Sequence, residues 1–529
     1  MLGIPANFRK TARWWVVGAS YRPALAWLPG SYCRVGTRLL GWRMAACPGV
    51  ETVFLRHSRP ESPSFIPGLS DVDLTVVLEH HVADDPDWMR FVERPLSRLA
   101  RRFFFLNPDD VRYTTRAELE RLGARYEAPV EILYEPSDWT RLAGEPFDPS
   151  VRAPLEGATV ARLPEFNKWW RRMLPSRLFE PTQDAGGRYV RTWFRGALKN
   201  QRHLLAAEGR PVVKEHGYVD DHLPEESEFS DGSGLYACLE EIRNADFQCA
   251  EPSSLRCRVL LGVLRETSAF YARTAERAGE PDRGKLSCEG LPHVTEARHT
   301  TEIVGRIKRN PDLAGCITRV LVYPVPLRIR ETQVDLVLRD DLTEDRFERF
   351  AYALAESFGS AHPIVGGRPC RLALYFDRML ETSLPYLGST TPFLRDHVAR
   401  CAQVLIGDAP SWLGTGLCPE TVRALCRHAH PFQAFNFRRR PMAAYRTCGA
   451  THISAVRHYL ETGDMVTDEG TLRERLREGG VDAWWVAGRG QAEQDAGAGL
   501  TDARTRELFL RLDRDLDWLD SRLGPNPTS

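Results

Sequence analysis

Asp71 and Asp73 stand two residues apart in the run Asp71–Leu78, DVDLTVVL, which is otherwise valine, leucine and threonine. β-Branched residues at that density read as a strand. Alternate side chains on a strand leave the same face, so the two carboxylates project together, about 7 Å apart along the backbone. Burying such a pair among apolar neighbours without compensation is costly. A divalent cation supplies the compensation, and carboxylate oxygens at this spacing suit one or two Mg²⁺ ions. The plainer alternative is an edge strand whose acids face water.

A third carboxylate, Glu131, lies in a second strand-like run, Pro129–Tyr134, PVEILY. If the two strands are neighbours, three acids converge. Two metals held this way would activate an attacking oxygen and stabilise a leaving one in a displacement at phosphorus. Upstream, Ser58 opens a loop punctuated by Pro60, Pro63, Pro67 and Gly68.

Ser58, the twelve residues after it, the Asp71-Val72-Asp73-Leu74 run and the later Glu131 together resemble the nucleotidyltransferase superfamily that includes DNA polymerase β and the small antibiotic adenylyltransferases. The resemblance covers roughly residues 51–135, and Gly68-Leu69-Ser70 looks like the family's approach to its acid pair. It implies that Asp71, Asp73 and Glu131 hold Mg²⁺, and that Ser58, with His57 and Ser70 beside it, contacts the nucleotide. His57 stands where the family has glycine, whose lack of a side chain lets the backbone approach a triphosphate. That substitution reads either as an added phosphate contact or as the mark of a weakened enzyme. In the family a helix after the sheet often donates Lys or Arg to the triphosphate. Here Arg191, Arg195 and Lys199 recur every four residues on a helix spanning Arg188–Glu208, with a solvated basic face as the alternative.

The chain has 529 residues, enough for several domains, and balances 71 Lys+Arg against 71 Asp+Glu. Net neutrality argues against a nucleic-acid coat, because binding by counterion release needs surplus cations. No apolar run is long enough to span a bilayer. The twelve cysteines form no C-x-x-C pair and read as reduced thiols of a cytoplasmic protein. The grouping Cys418, Cys426, His428 and His430 does not match zinc-loop spacing. The first fifty residues carry Arg9, Lys10, Arg13, Arg22, Arg34, Arg38 and Arg43 but no acid before Glu51. They read as a helical arm packed on the next domain, with a transit-like or membrane-surface segment as the alternative.

The expected fold class is α+β: a small mixed-sheet nucleotidyltransferase domain with helical domains and a second α/β region. The arm covers 1–50, the catalytic domain 51–150, a helical domain 151–299, the second α/β region 300–409 and a helical C-terminal region 410–529. The stretch VDLTVVLEHHVADDPDWMRFVERPL is echoed by VDLVLRDDLTEDRFERFAYAL after Gln333. Convergent strand–helix wording accounts for this, and a degenerate duplicate without chemistry is the alternative. The expected activity is transfer of a nucleoside monophosphate, AMP from ATP, to a hydroxyl of a small molecule or protein, releasing pyrophosphate. An inactive nucleotide sensor or scaffold, or an RNA-modifying transferase, are the alternatives.

Overall fold

The computed structural model describes residues 27–56, 72–85, 87–89, 91–92, 106–125, 139–146, 159–179, 188–208, 223–245, 252–278, 283–284, 288–289, 297–326, 331–387, 393–427, 443–466, 469–478 and 514–523, with isolated positions between them. These residues form an α+β fold with two mixed sheets.

The first unit opens with α1 (Trp27–Ala45), followed by β1 (Val50–Arg56), β2 (Val72–Leu78), β3 (Leu106–Thr115), α2 (Arg116–Arg125) and β4 (Thr140–Gly144). Its sheet runs β3-β2-β1-β4; β1 is antiparallel to β2 and β4, and β2 is parallel to β3. The alternation of β2 sends Val72, Leu74, Val76 and Leu78 into one core with Val53 and Leu55. Cys33, Leu40 and Met44 of α1 close that core from above. Close approach needs Gly41, since a Cβ there would stand 2.8 Å from the Leu142 Cβ. A capping box starts α2: the Thr115 N–H donates to Glu118 Oε2 at 2.9 Å, and the Glu118 N–H donates to Thr115 Oγ1 at 3.2 Å.

The larger unit begins with α3 (Thr159–Leu178), α4 (Arg188–Ala207), α5 (Leu235–Asn244) and α6 (Pro252–Ala278). Then come α7 (Ala297–Arg309), α8 (Pro311–Cys316), β5 (Ile317–Pro324), β6 (Thr332–Leu338), α9 (Glu344–Phe358), β7 (Ile364–Val365), β8 (Arg368–Phe376), α10 (Asp377–Glu381), α11 (Leu394–Cys401) and β9 (Gln403–Ile406). Two further helices, α12 (Ala443–Thr462) and α13 (Glu469–Glu478), follow. The second sheet runs β9-β5-β6-β8-β7. Buried side chains from Leu163 to Leu523 form one cluster, so the helical, α/β and C-terminal regions read separately from sequence share one core.

The two sheets repeat one plan. In each, an antiparallel pair (β1–β2, β5–β6) crosses over to a parallel third strand (β3, β8), and a fourth strand (β4, β9) lies antiparallel on the first. Both pairs slip register at the same place: Val50 faces Leu78 and then Thr52 faces Val77, while Ile317 faces Leu338 and then Arg319 faces Val337. Both third strands run straight into a helix, α2 or α10. Both fourth strands end at a glycine with positive φ, Gly144 at +91° and Gly407 at +76°, where a Cβ would meet the carbonyl oxygen of the second residue of β1 or of β5. Shared bulges and turns at matched positions support duplication over convergent wording. They also correct the register of the echo. Leu78 corresponds to Leu338, which sets Gln333 opposite Tyr323 as Asp73 is opposite Arg56, and puts Asp335 at the place of Thr75.

Candidate functional site

The β1–β2 face turned away from the small core carries Asp73. Thr52, Phe54 and Arg56 alternate onto it from β1, and Asp73, Thr75 and Val77 from β2. Arg112 of β3 joins them opposite Thr75. Asp73 is directly opposite Arg56, whose Nη2 lies 3.6 Å from Asp73 Oδ1. The Arg56 side chain is only 8% exposed and that of Asp73 23%. The contact is longer than a hydrogen bond, so it is a charge pairing rather than a tight fork. The carboxylate thus sits beside a cation at the edge of a buried face formed by Thr52, Phe54, Thr75 and Val77, and keeps part of its own surface open.

Asp71, His57, Ser58, Ser70 and Glu131 lie outside the described residues, as does the strand expected at 129–134. Among the described residues no group of three His, Cys, Asp or Glu is placed to hold a metal ion. Asp73 itself fits a hard cation in chemistry and exposure. The strand that pairs in parallel with β2 is β3, and its register jumps from Val72–Leu106 to Leu74–Val111. The jump leaves Asn107, Pro108, Asp109 and Asp110 between those two pairs, where β2 has only Asp73. An acidic Asn-Pro-Asp-Asp run reads as a turn in sequence, which is why β3 escaped the reading.

Arg56 and Arg112 are not legible from sequence: a period-two count groups Arg56 with Thr52 and Phe54, and only the register with β2 brings it opposite Asp73. Of the expected phosphate clamp, the Arg191 side chain lies outside the described residues. Tyr189, Val190, Trp193 and Phe194 carry α4 into the larger core, and its main packing partners are α3, α5 and α6. Lys199 is exposed and Arg195 half-buried; nothing described brings either to Asp73. Of the supposed zinc grouping, Cys426 is buried, which pushes its thiol far up, and the two histidines are outside the described residues.

The matched face of the second sheet is closed. Tyr386 donates to Asp335 Oδ2 at 2.8 Å and Gln333 Nε2 to Oδ1 at 2.9 Å. Arg171, reaching in from α3, donates to the Tyr323 hydroxyl at 2.8 Å and lies 5.3 Å from the Tyr386 ring centre. Burial raises the Asp335 carboxyl, and Arg171 opposes that shift. Glu331, which corresponds to Asp71, is paired with Arg371 at 2.6 Å. No family model, curated protein or solved structure matches the chain.

Proposed function

We propose that the β1–β2 face is the catalytic surface of a nucleotidyltransferase that moves a nucleoside monophosphate, AMP from ATP, onto a hydroxyl of a small molecule or protein. One observation carries the reading: Asp73, partly exposed, stands beside Arg56 at the end of an antiparallel pair with a parallel third strand, on a face whose Thr52, Phe54, Thr75 and Val77 are buried. Asp73, with Asp71 and Glu131, would hold Mg²⁺, which polarises the phosphate oxygens when bound. Arg56 and Arg112 would neutralise charge on the departing pyrophosphate. Ser58 and its amide would orient the phosphates, and Glu131 would accept the acceptor hydroxyl's proton. Neutral overall charge favours a small or protein acceptor over a long nucleic acid.

A second reading, a non-catalytic nucleotide sensor, is favoured by the same ion pair. Arg56 already neutralises Asp73, and the second sheet keeps this plan with Gln333 in place of that carboxylate. Two variants separate the readings. Asp73→Asn is expected to lower Mg²⁺-dependent pyrophosphate release from ATP at least about a hundredfold. Arg56→Met is expected to tighten Mg²⁺ in a calorimetric titration of the ATP complex by roughly tenfold, since a competing cation is gone. ATP binding indifferent to Mg²⁺ in both variants, with no turnover on any acceptor, would establish the sensor.

A further inference from the structure

Helix α1 has two unlike faces. Cys33, Gly36, Thr37, Leu40, Gly41 and Met44 are buried against the small sheet. At 100° per residue the opposite side presents Trp27, Leu28, Val35 and Trp42 together, with Leu28, Val35 and Trp42 one heptad apart. Trp27, Val35 and Trp42 are each 62% exposed and Leu28 46%, so four of the seven exposed large apolar side chains among the described residues lie on this one helix. Its arginines are exposed too. Arg34 and Arg38 lie along one edge of the stripe; Arg43 lies beyond the other, its guanidinium carbon 5.1 Å from the Trp42 ring centre. No acid occurs on the helix or anywhere before Glu51, whereas the whole chain is balanced.

The larger unit shows what an ordinary helix in this setting looks like. There α7, followed by the short α8 before the first strand of its sheet, buries His299, Ile303 and Ile307 and turns Thr301, Lys308 and Arg309 outward. The apolar exterior of α1 is therefore not required by the plan. Scattered exposed apolar residues need no explanation, but a continuous stripe on one helix marks an interaction surface.

We infer that the outward face of α1 seats the protein on an anionic bilayer surface, lying in the interface plane. Charge decides the occupant: arginines flanking a Trp/Leu/Val stripe, with no acid to repel lipid phosphates, match the headgroup boundary in both polarity and sign. Tryptophan at such a boundary buries its ring and keeps its N–H near water. No helix among the described residues is long and apolar enough to cross a membrane, so the attachment is peripheral.

The test is co-sedimentation of the full chain with vesicles of phosphatidylglycerol in phosphatidylcholine, against phosphatidylcholine alone, at low and high salt. The bound fraction should depend on phosphatidylglycerol and fall with salt. The variant V35S/W42S alters only exposed positions and should lower partitioning about tenfold or more. A second variant, R34Q/R38Q/R43Q, should lower it roughly a hundredfold at low salt while leaving the far-ultraviolet circular dichroism unchanged. Equal binding to both vesicle types, or wild-type binding in both variants, would overturn the inference. So would light scattering that shows a dimer of the full chain dispersed by V35S/W42S, because a second copy would then be the occupant.

Discussion

Asp396 shows how one buried carboxyl couples the fold to pH. It is fully buried on α11, and its oxygens lie 3.0 and 3.2 Å from the Leu417 N–H. Burial raises its pKa from 3.8 to about 6, although Arg395 beside it and the Leu417 N–H both pull the other way. Between those values the unfolded chain has lost a proton that the folded chain still holds. Stability from this group is therefore complete below 3.8 and declines as pH rises, until the loss levels off above about 6. A shift of that size corresponds to about 3 kcal/mol. Asp396→Asn keeps an acceptor for Leu417 and removes the titration. Urea unfolding at several pH values is expected to show the variant gaining on the wild type by up to about 3 kcal/mol between pH about 4 and about 7. A constant difference across that range would place the titration elsewhere. Asp73 contrasts with Asp396: it is partly open and faces an arginine across the strand pair.

At the scale of elements, what the sequence disclosed tracks how far each element is specified by its own residues. Helix α9 is bounded by signals within its own sequence, since Thr343 accepts from the Arg346 N–H and Gly359 closes it with φ of +75°. The α2 capping box was equally readable, since both partners are three residues apart. Strand β3 was not, because Asn107, Pro108, Asp109 and Asp110 oppose strand formation and fall in the register jump between the Val72–Leu106 and Leu74–Val111 pairs. Strand β4, TRLAG, likewise carries too little pattern to announce itself. Within the site, Asp73 followed from its own strand, whereas Arg56 became visible only when the partner strand fixed what faces it. The strand-terminal glycines are specified by close backbone approach, which gives a sharp expectation. Gly144→Ala and Gly407→Ala should each cost about 2 kcal/mol or more, from positive φ and collision with a carbonyl oxygen. Gly232→Ala, at φ +74° with open space around the added Cβ, should cost only about 1 kcal/mol. Thermal melts of the three variants check the order, and equal losses would show that the strand approach contributes nothing.

At the scale of the molecule, the repeated plan has diverged in what covers each acid-bearing face. Over the second sheet, α3 brings Arg171 and Trp170 down onto Asp335 and the tyrosines, and that face became the centre of the larger core. The first sheet kept its own small core on the opposite side, and the two buried clusters share no residue. Two cores of such unequal size give no reason for a single cooperative transition. Leu74, fully buried at the middle of the small core, supplies the probe. Leu74→Ala should cost about 2–5 kcal/mol through lost contacts and the cavity left behind. If the cores open independently, hydrogen exchange read by mass spectrometry will show β1, β2 and β3 losing protection in the variant, while β5, β6 and β8 exchange as in the wild type. Simultaneous loss of protection in both sheets would mean that the interface between the units couples them as strongly as either core holds itself. The small sheet would then depend on the larger unit for its stability.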